Sequence, residues 1–453
     1  MEKKENIREL AVEMVKEISA GKEYSHILIK NVLDKYAYLP EYDRAFLKKV
    51  TEGTIERQIT IDYILNCFSK VPVNKMKPFI RSLMRTSVYQ IMYLDKVPNS
   101  AVCNEAVKLA AKRGFSNLKG FVNGVLRNVS RGKEDITWPD RKKEPVVALS
   151  VIYSMPEHIV QLLMTQYGME STEEILKGYL TERPVCVRVS EQLSEDEKSA
   201  ILSNWDKNGV TVRKHPWLSY AYELEHPGSL MADSYFAEGC YTVQDVSSML
   251  INEIAGIKEN DYIIDVCSAP GGKALHACDK LNGTGVVDAR DVTERKVELI
   301  LENKERLKAK QLSVKVWDGR MKDADAVNKA DVVLLDVPCS GLGVIGRKPD
   351  IRYRLDNAAF EELAVLQKQI VDTVWEYVKP GGTLIYSTCT LRKEENEQMV
   401  NYLVEKYNFE LENLDSYLPA ELHNEDTAKG YLTLLPGTYS DGFFMARLKS
   451  QNP

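Results

Sequence analysis

The carboxyl-terminal half of the chain consists of short apolar runs that alternate with amphipathic segments. Five such runs follow residue 236, and they read YIIDV, GTGVVDA, LSVKVW, ADVVLLDV and GTLIYST. Between them lie segments such as ERKVELILENKERLK, in which apolar residues recur at a spacing of three to four. Buried strands that alternate with helices are typical of a doubly wound parallel sheet. We therefore predict an α/β domain with a Rossmann-like sheet over residues 236–450.

The first third of the chain has a different pattern. Residues 1–135 contain successive segments of helical periodicity, for example IRELAVEMVKEIS and KPFIRSLMRTSVYQIMYL, without strand-like alternation. The polar stretch RGKEDITWPDRKKEP (131–145) carries two prolines and is predicted to be a linker. After it, helical segments mix with the strand-like runs VCVRVS and VTVRKH. These patterns predict an all-α domain over residues 1–135 and a small α+β module over residues 146–235.

The net charge of -6 hides a local excess of positive charge. Between residues 51 and 133 there are fourteen Lys and Arg against five Asp and Glu. A basic stretch in an acidic protein is typical of a docking surface for phosphates. An ordinary set of solvated helix faces would have the same composition, so the charge alone leaves both interpretations open.

Cysteine usage and hydropathy exclude several classes of protein. The eight cysteines are scattered along the chain and form no CxxC pair, which predicts free thiols, no disulfides and no metal site. The first ten residues, MEKKENIREL, are charged, and no apolar run approaches the length of a membrane span. We expect a cytosolic protein that does not enter a membrane.

The first predicted strand of the sheet ends in a glycine-rich turn, DVCSAPGGK (265–273), that leads directly into a helix. Such a turn lets the backbone approach a ligand closely and directs a helix amino terminus toward it. The spacing GxxxxGK[ST] is missing, and Ala274 stands where a Walker A loop has Ser or Thr. The turn is therefore a candidate nucleotide-like site of another kind.

Several carboxylates follow the ends of the predicted strands. Asp291 lies eighteen positions beyond Lys273, close to where dinucleotide-type folds place the acidic residue that binds a ribose. Asp288 is an alternative for that position. Asp318 and Asp336 end two further predicted strands. Because the carboxyl ends of parallel strands meet at one edge of a sheet, we expect these carboxylates around one pocket.

Two cysteines are placed at the same predicted edge. Cys339 lies in the run DVPCSG (336–341), and Cys389 lies in the run STCT (387–390) at the end of another strand. A lone cysteine is usually an inert buried thiol. Two thiols at neighbouring strand ends, beside a nucleotide-like turn, favour a reactive role instead.

These motifs together resemble those of a known family, the RNA 5-methylcytosine methyltransferases, and in particular its bacterial small-subunit rRNA enzymes. The motifs that match in order and spacing are CSAPGGK (267–273), DVPCSG (336–341) with GRKPDIR after it, STCT (387–390) with KEENE after it, and DGFFMA (441–446). The run TVQDVSSML (242–250) resembles the start of the family's catalytic domain. The helical first third resembles the antitermination factor NusB. The resemblance implies a class I methyltransferase sheet preceded by a NusB-like domain and a small α+β module.

The resemblance also implies roles for residues. S-adenosylmethionine is the implied cofactor, and the residues implied to bind it are Cys267, Ser268, Ala269, Pro270, Gly271, Gly272, Lys273, Asp291, Asp318 and Asp336. Cys389 is implied as the nucleophile that adds to cytosine, and Cys339 as the thiol that helps to release the product. Asp336 is expected to bind the edge of the base. The expected partner is RNA, with 16S rRNA as the expected substrate and the C5 atom of a cytosine as the methyl acceptor.

Other functions remain open from the sequence alone. One is an RNA-binding or antitermination-like scaffold without catalytic activity. Another is a methyltransferase that acts on an exocyclic nitrogen, although such enzymes normally carry an Asn/Asp-Pro-Pro-aromatic run where this chain has Asp336-Val-Pro-Cys339. Within the same chemistry, tRNA and large-subunit rRNA are alternative targets.

Overall fold

The two periodicities of the sequence correspond to two structural units. The structure is a computed structural model that describes residues 5–451. One unit comprises the chain up to Leu180 together with Ile345–Leu355, and the other comprises Thr181–Val344 and the chain from Asp356 onward. Among residues 5–451 no single helix has the length and apolar character of a membrane span, and one pair of helices bent by 115° meets that test only jointly.

The first unit is helical, as predicted for residues 1–135. The α-helices of this unit are α1 (Ile7–Ser19), α2 (Ser25–Lys35), α3 (Glu41–Glu56), α4 (Gln58–Phe68), α5 (Pro78–Tyr93), α6 (Asn99–Lys112), α7 (Lys119–Gly132), α8 (Pro145–Tyr153) and α9 (Glu157–Gly178). Helix α5 is central, since twelve of its sixteen residues are buried. Gly168, with a φ of +77°, divides α9 into two helical segments.

The segment Ile345–Leu355 packs with these helices, although it follows the DVPCSG run in sequence. Asp350 is buried and accepts a hydrogen bond from the backbone N–H of Ser25, the first residue of α2, at 3.1 Å. Arg352 is fully buried and donates to the carbonyl of Ser154 at 2.7 Å. Backbone groups of the helical unit therefore contact two buried charged side chains of this segment, although Nε and Nη2 of Arg352 have no hydrogen-bond partner among residues 5–451. The predicted boundaries, which assigned residues 236–450 to one domain, differ from this division.

The second unit begins with a small antiparallel sheet. Its strands are β1 (Val185–Val189), β2 (Thr211–Lys214), β3 (Ala221–Glu225) and β4 (Tyr241–Val243), in the order β2-β3-β1-β4. Helix α10 (Glu195–Lys207) starts with a capping box formed by Ser194 and Glu197, and its buried Trp205 packs edge-on against Tyr241. The strand-like runs VCVRVS and VTVRKH predicted β1 and β2, whereas β3 and β4 were not predicted, and this sheet extends beyond the predicted limit of residue 235.

The larger sheet contains the five apolar runs. Its strands are β5 (Tyr262–Asp265), β6 (Val286–Asp291), β7 (Leu312–Val316), β8 (Ala330–Asp336), β9 (Val378–Thr388), β10 (Phe409–Leu411), β11 (Tyr431–Leu434) and β12 (Phe443–Ser450). The remaining helices are α11 (Ser234–Ala237), α12 (Val246–Ala255), α13 (Gly272–Lys280), α14 (Glu294–Arg306), α15 (Asn357–Val374), α16 (Glu397–Tyr407) and α17 (Glu425–Lys429). Apolar clusters pack on both faces of the sheet, as expected for buried parallel strands.

The strand order of this sheet determines where a ligand can bind. The order is β10-β12-β9-β8-β5-β6-β7, with β11 paired to β12, and strands β5 to β9 are mutually parallel. The chain runs from β5 outward to β7 and then returns to β8 on the opposite side of β5. The switch point is therefore the crevice at the carboxyl ends of β5 and β8. The predicted Rossmann-like sheet is confirmed, with an antiparallel extension at β12 that the sequence analysis did not predict.

Candidate active site

The glycine-rich turn lies at this switch point, between β5 and α13. Gly271 has a φ of +99°, and a Cβ at that position would lie 3.2 Å from the side chain of Ile300, so the turn favours glycine there. The N–H of Gly271 donates to the carbonyl of Ser268 at 2.7 Å, and the N–H of Ser268 donates to the carbonyl of Arg290 on β6 at 2.9 Å. These bonds fix the start of α13 at the carboxyl edge of the sheet.

Asp265, the last residue of β5, is a functional candidate that the sequence analysis missed. Its side chain is buried, and its carboxylate oxygens and the hydroxyl of Ser268 have no hydrogen-bond partner among residues 5–451. Burial raises the pKa of Asp265 to about 7, against the opposing effect of the Lys273 charge. Unpartnered buried acceptors beside a glycine turn indicate a ligand that brings a donor. An acidic residue directly before the turn was the available signal in the sequence.

Asp291 and Asp288, the two candidates on β6 for the ribose-binding position, have different environments. Asp291 is buried, and its Oδ2 accepts a hydrogen bond from the N–H of Ala269 in the glycine-rich turn at 3.0 Å. Asp288 lies further back along the strand and pairs with Arg290, with 2.6 Å between Oδ2 and Nη2. Asp291 therefore contacts the candidate ligand site, whereas Asp288 neutralises a buried guanidinium.

Asp318 follows β7 and takes part in a local interaction. Its Oδ2 lies 2.6 Å from the Nη2 atom of Arg320, and the hydrogen bonds from Arg320 lower the pKa of the carboxyl group. Among the described residues, no polar contact joins Asp318 to the glycine-rich turn. Its predicted role in cofactor binding remains a prediction.

Lys273 and Asp336 form an ion pair at the carboxyl edge of the sheet. The Nζ atom of Lys273 lies 2.6 Å from Oδ2 of Asp336, and the hydroxyl of Ser387 donates to Oδ1 of Asp336 at 2.8 Å. Burial alone would lower the pKa of Lys273, but the charge of Asp336, the hydrogen bond to it and the charge of Asp265 together outweigh burial, and the pKa is raised. Lys273 therefore stays protonated and donates a hydrogen bond to Asp336. This pair joins the end of β8 to the start of α13.

Cys339 and Cys389, which we call the thiol pair, meet at the ends of β8 and β9. Their Sγ atoms are 3.1 Å apart, and the backbone N–H of Cys389 donates to Sγ of Cys339 at 3.2 Å. The hydrogen bond to Cys389 and burial together raise the pKa of Cys339 well above its ordinary value. The predicted convergence of the two thiols is thus present in the fold.

Cys267, in the glycine-rich turn, has a different environment. Burial raises the pKa of its thiol, and the charges of Asp291 and Asp265 add to this effect. A thiol so surrounded is a poor nucleophile, because the thiolate is the reactive form. All eight cysteines are free thiols, but only the thiol pair combines partial exposure with close contact between two sulfurs.

One cluster in the second unit has the composition of a metal site. Ligand atoms of Glu191, Glu253 and His276 lie within 4.8 Å of one another. The Nζ atom of Lys280 lies 2.8 Å from Glu191 and 2.7 Å from Glu253, so an ammonium group already lies between the two carboxylates and pairs with both. Burial lowers the pKa of His276 well below its ordinary value, so its imidazole is neutral. The cluster is therefore read as an ion-pair network.

Comparisons with known proteins agree with this geometry. The profile of the family described as "16S rRNA methyltransferase RsmB/F" matches residues 254–449, and that of the "NusB family" matches residues 5–131. Two solved proteins share the fold at low identity. The protein designated PH0851 has a TM-score of 0.80 at 21% identity and covers 99% of this chain and 100% of its own. The structure of NSun6 from Pyrococcus horikoshii with SFG has a TM-score of 0.57 at 20% identity and covers 67% of this chain and 100% of its own.

Curated relatives match over nearly the whole length. The probable ribosomal RNA small subunit methyltransferase B of Bacillus subtilis is 33% identical over 453 residues, which cover 99% of this chain and 100% of the relative. The ribosomal RNA small subunit methyltransferase B of Cronobacter sakazakii is 30% identical and covers 99% of both chains. With identity at this level across both the helical unit and the sheet, the chain belongs to the RsmB/F family of S-adenosylmethionine-dependent methyltransferases and carries a NusB-type helical domain.

Proposed function

We propose that this enzyme transfers a methyl group from S-adenosylmethionine to C5 of a cytosine in small-subunit ribosomal RNA, with Cys389 as the nucleophile and Cys339 as the base that permits release. The observation that carries the proposal is the thiol pair, whose sulfurs lie 3.1 Å apart at the ends of β8 and β9. The Lys273–Asp336 ion pair lies at the same edge of the sheet. The rRNA substrate is taken from the names of the full-length relatives.

The residues around the glycine-rich turn fit the cofactor. The unpartnered oxygens of Asp265 suit its ammonium group, and the carboxylate of Asp291 suits ribose hydroxyls. When bound, S-adenosylmethionine supplies an electrophilic methyl group on a positively charged sulfur. The turn itself offers backbone groups at close range, because Gly271 has no side chain.

Cytosine C5 is a weak nucleophile, and covalent catalysis divides the reaction into easier steps. The thiolate of Cys389 forms a bond to C6, and the electron pair of the C5–C6 double bond moves toward C5. C5 then forms its bond to the methyl group as the bond from that methyl group to the cofactor's sulfur breaks, and the electron pair of the broken bond stays on the sulfur. Asp336, which pairs with Lys273, accepts a hydrogen bond from the exocyclic amino group of the base. Uracil has a carbonyl at that position, so this contact favours cytosine.

The thiol pair also accounts for the timing of product release. The hydrogen bond to Cys389 and its negative charge both raise the pKa of Cys339. Once the sulfur of Cys389 is bonded to carbon, both contributions disappear, and Cys339 loses its proton to water more easily. The Cys339 thiolate then removes the C5 proton, the C5–C6 double bond forms again, and the bond between C6 and Cys389 breaks. Cys389 leaves as a thiolate, and the net reaction releases one proton.

Exposed cations on the helical unit support binding of RNA. From the basic stretch of residues 51–133, side chains that remain exposed include Lys75, Lys77, Lys119, Arg127 and Arg131. Arg85 is buried and pairs with Asp62 at 2.6 Å, so it does not belong to such a surface. Phosphate contacts by exposed Lys and Arg supply affinity that does not depend on sequence. They also help to offset the cost of about a few kcal/mol for moving a base out of a stack.

The test compares two single substitutions with a control. Cys389→Ala is expected to abolish tritium transfer from labelled S-adenosylmethionine to transcribed small-subunit rRNA while leaving cofactor affinity unchanged. Cys339→Ala is expected to accumulate a covalent enzyme–RNA adduct on a denaturing gel. Cys67→Ala, which removes an exposed thiol from the helical unit, is the control and is expected to behave as the wild type.

Retained activity in Cys389→Ala would remove that residue from the nucleophile role. Absence of an adduct in Cys339→Ala would contradict the release role of Cys339. Bisulfite sequencing of the methylated RNA identifies the modified cytosine, because methylation at C5 protects it from conversion. If the RNA carries the tritium label but every cytosine is still converted, the methyl group is on another atom.

A further inference from the structure

Glu395 is a fully buried carboxylate for which the proposed chemistry has not yet given a role. It follows the STCT run and precedes α16, and its side chain is 0% exposed. A buried carboxylate is costly unless donors surround it, so its contacts indicate what it is retained for. Those contacts lie on the segment that carries Cys339.

Two donors converge on one oxygen of this carboxylate. Oε2 of Glu395 accepts the backbone N–H of Ser340 at 2.9 Å and the side-chain amide of Gln367 at 2.9 Å. The same Gln367 amide nitrogen donates to the carbonyl of Pro338 at 2.9 Å. Glu395 therefore holds the backbone on both sides of Cys339, directly at residue 340 and through Gln367 at residue 338.

Glu395 is itself held by its own surroundings. The hydroxyl of Tyr386, on β9, donates to the backbone carbonyl of Glu395 at 2.6 Å. The guanidinium of Arg392 lies 3.9 Å from Oε1, so this oxygen is held more loosely than Oε2. A second bridge between the same loops joins the hydroxyls of Ser340 and Thr390 at 2.7 Å. The carboxylate is thus fixed to β9 while it holds the loop after β8.

We propose that Glu395 is a positioning residue for product release, which acts by holding Cys339 at the distance from C5 that proton removal requires. The inference rests on the proposed function, because it assigns Cys339 the role of base. Cys389 is held by β9 and by its own loop, so loss of the Glu395 contacts affects Cys339 first. Adduct formation should therefore survive a change at Glu395 better than adduct breakdown.

The charge of Glu395 gives a second, independent readout. The groups that raise the pKa of the Cys339 thiol are, besides burial, Cys389, Glu395 and Asp336, and Arg392 is the cation nearest to Glu395. Replacing Glu395 by glutamine keeps an oxygen acceptor but removes a negative charge. The pKa of Cys339 then falls, and the pH at which adduct breakdown reaches half its maximal rate moves to lower values. A side chain that only filled space would lower the rate equally at every pH.

The experiment follows single turnovers of the full-length enzyme on transcribed small-subunit rRNA. The fraction of enzyme in covalent adduct and the tritium transferred are measured together across pH. Glu395→Ala is expected to slow adduct breakdown at least tenfold more than adduct formation, and Glu395→Gln to shift the breakdown profile to lower pH. The control is Glu394→Gln, which removes the same charge one position away at a side chain that is 38% exposed, and it should match the wild type.

A double substitution decides whether Glu395 acts through Cys339. In the Cys339→Ala background, Glu395→Ala should not lengthen the adduct lifetime further, because the thiol that it positions is gone. An added loss of similar size in that background, or equal slowing of formation and breakdown in the single variant, would overturn the proposal. If Glu395→Ala does not fold, Glu395→Gln carries the same comparison. If Cys339→Ala itself shows no adduct, that result contradicts the proposed role of Cys339 in product release. The role of Glu395, which depends on it, then fails for that reason.

Discussion

Gly343 lies where three segments of the candidate site meet, and its replacement by alanine tests how tightly they must pack. Its N–H donates to the carbonyl of Cys389 at 2.9 Å, and its carbonyl accepts the N–H of Gly442 at 2.9 Å. A Cβ at residue 343 would lie 1.9 Å from the carbonyl oxygen of Gly442 and 2.8 Å from that of Cys389. Both neighbours are backbone atoms, so a rotamer change cannot relieve the overlap.

The magnitude follows from these contacts. Non-bonded heavy atoms pack best at about 3.5 Å, so the segments that carry Gly343 and Gly442 must separate by roughly 1.5 Å at this point. Loss of the two hydrogen bonds costs about 1 kcal/mol each. Overpacking adds about 1–3 kcal/mol, so that the total is about 3–5 kcal/mol. A displacement of about 1 Å in a reacting group costs about a hundredfold in rate, and Gly343→Ala is expected to slow adduct formation by at least that factor.

The assay combines thermal unfolding with single-turnover adduct formation. For a unit of this size, about 3–5 kcal/mol corresponds to a fall in Tm of about 10 °C for the transition of the second unit. Gly124→Ala is the matched control, because its added Cβ has no neighbour within 4 Å apart from the adjacent residues and the backbone of its own helix, and alanine favours the helix α7. A Gly343→Ala enzyme with the melting temperature and adduct rate of the wild type would refute the argument that this contact sets the geometry of the thiol pair.

Two further predictions concern ionisation and oxidation. The pKa of Asp265 is about 7, and its charged form is the acceptor for the cofactor's ammonium group, so affinity for S-adenosylmethionine should be full above that pH and fall as the pH drops below it. Calorimetry from pH 5.5 to 8.5 should show this fall, whereas Asp265→Asn should bind about tenfold more weakly and show no such pH dependence. A variant with the pH profile of the wild type would contradict the assignment. Because the sulfurs of Cys339 and Cys389 lie 3.1 Å apart, diamide should oxidise them to a disulfide. The oxidised protein should weigh two hydrogens less and lack methylation activity, which dithiothreitol restores. Cys339→Ala should show no such change in mass, and two thiols that stay free under diamide would argue against the contact.

Much of this arrangement could be predicted because it depends on periodicity and on chain order. Parallel strands expose their carboxyl ends at one edge, so runs ending at Asp265, Asp291 and Asp336 had to meet once the alternation of strands and helices was recognised. The convergence of Cys339 and Cys389 follows from the same rule, because β8 and β9 are neighbours. Local sequence patterns are sufficient for such features.

Other features depend on tertiary contacts that no local pattern contains. Asp265 was overlooked because its importance comes from burial without a partner, which is a property of the packed site. Gln367 lies on α15, and its hydrogen bond to Glu395 joins residues that are 28 positions apart without any shared motif. The segment Ile345–Leu355 was assigned to the catalytic domain by sequence order, whereas buried charges at Asp350 and Arg352 attach it to helices. Domain bounds are weakly encoded in sequence when a unit is assembled from segments that are distant along the chain.

The antiparallel strand β12 explains why a motif near residue 441 belongs with motifs that precede it by more than fifty positions. β12 runs opposite to β9, with Phe444 in register with Thr388, so the start of β12 lies beside the end of β9. Gly442 therefore reaches the loop after β8, where its N–H binds the carbonyl of Gly343. A parallel strand at this position would have presented its amino-terminal end at the opposite edge of the sheet. Because the last strand is reversed, the segment before β12 becomes a third segment around the two thiols. The parallel strands alone would leave the thiols uncovered on the side where Gly442 lies.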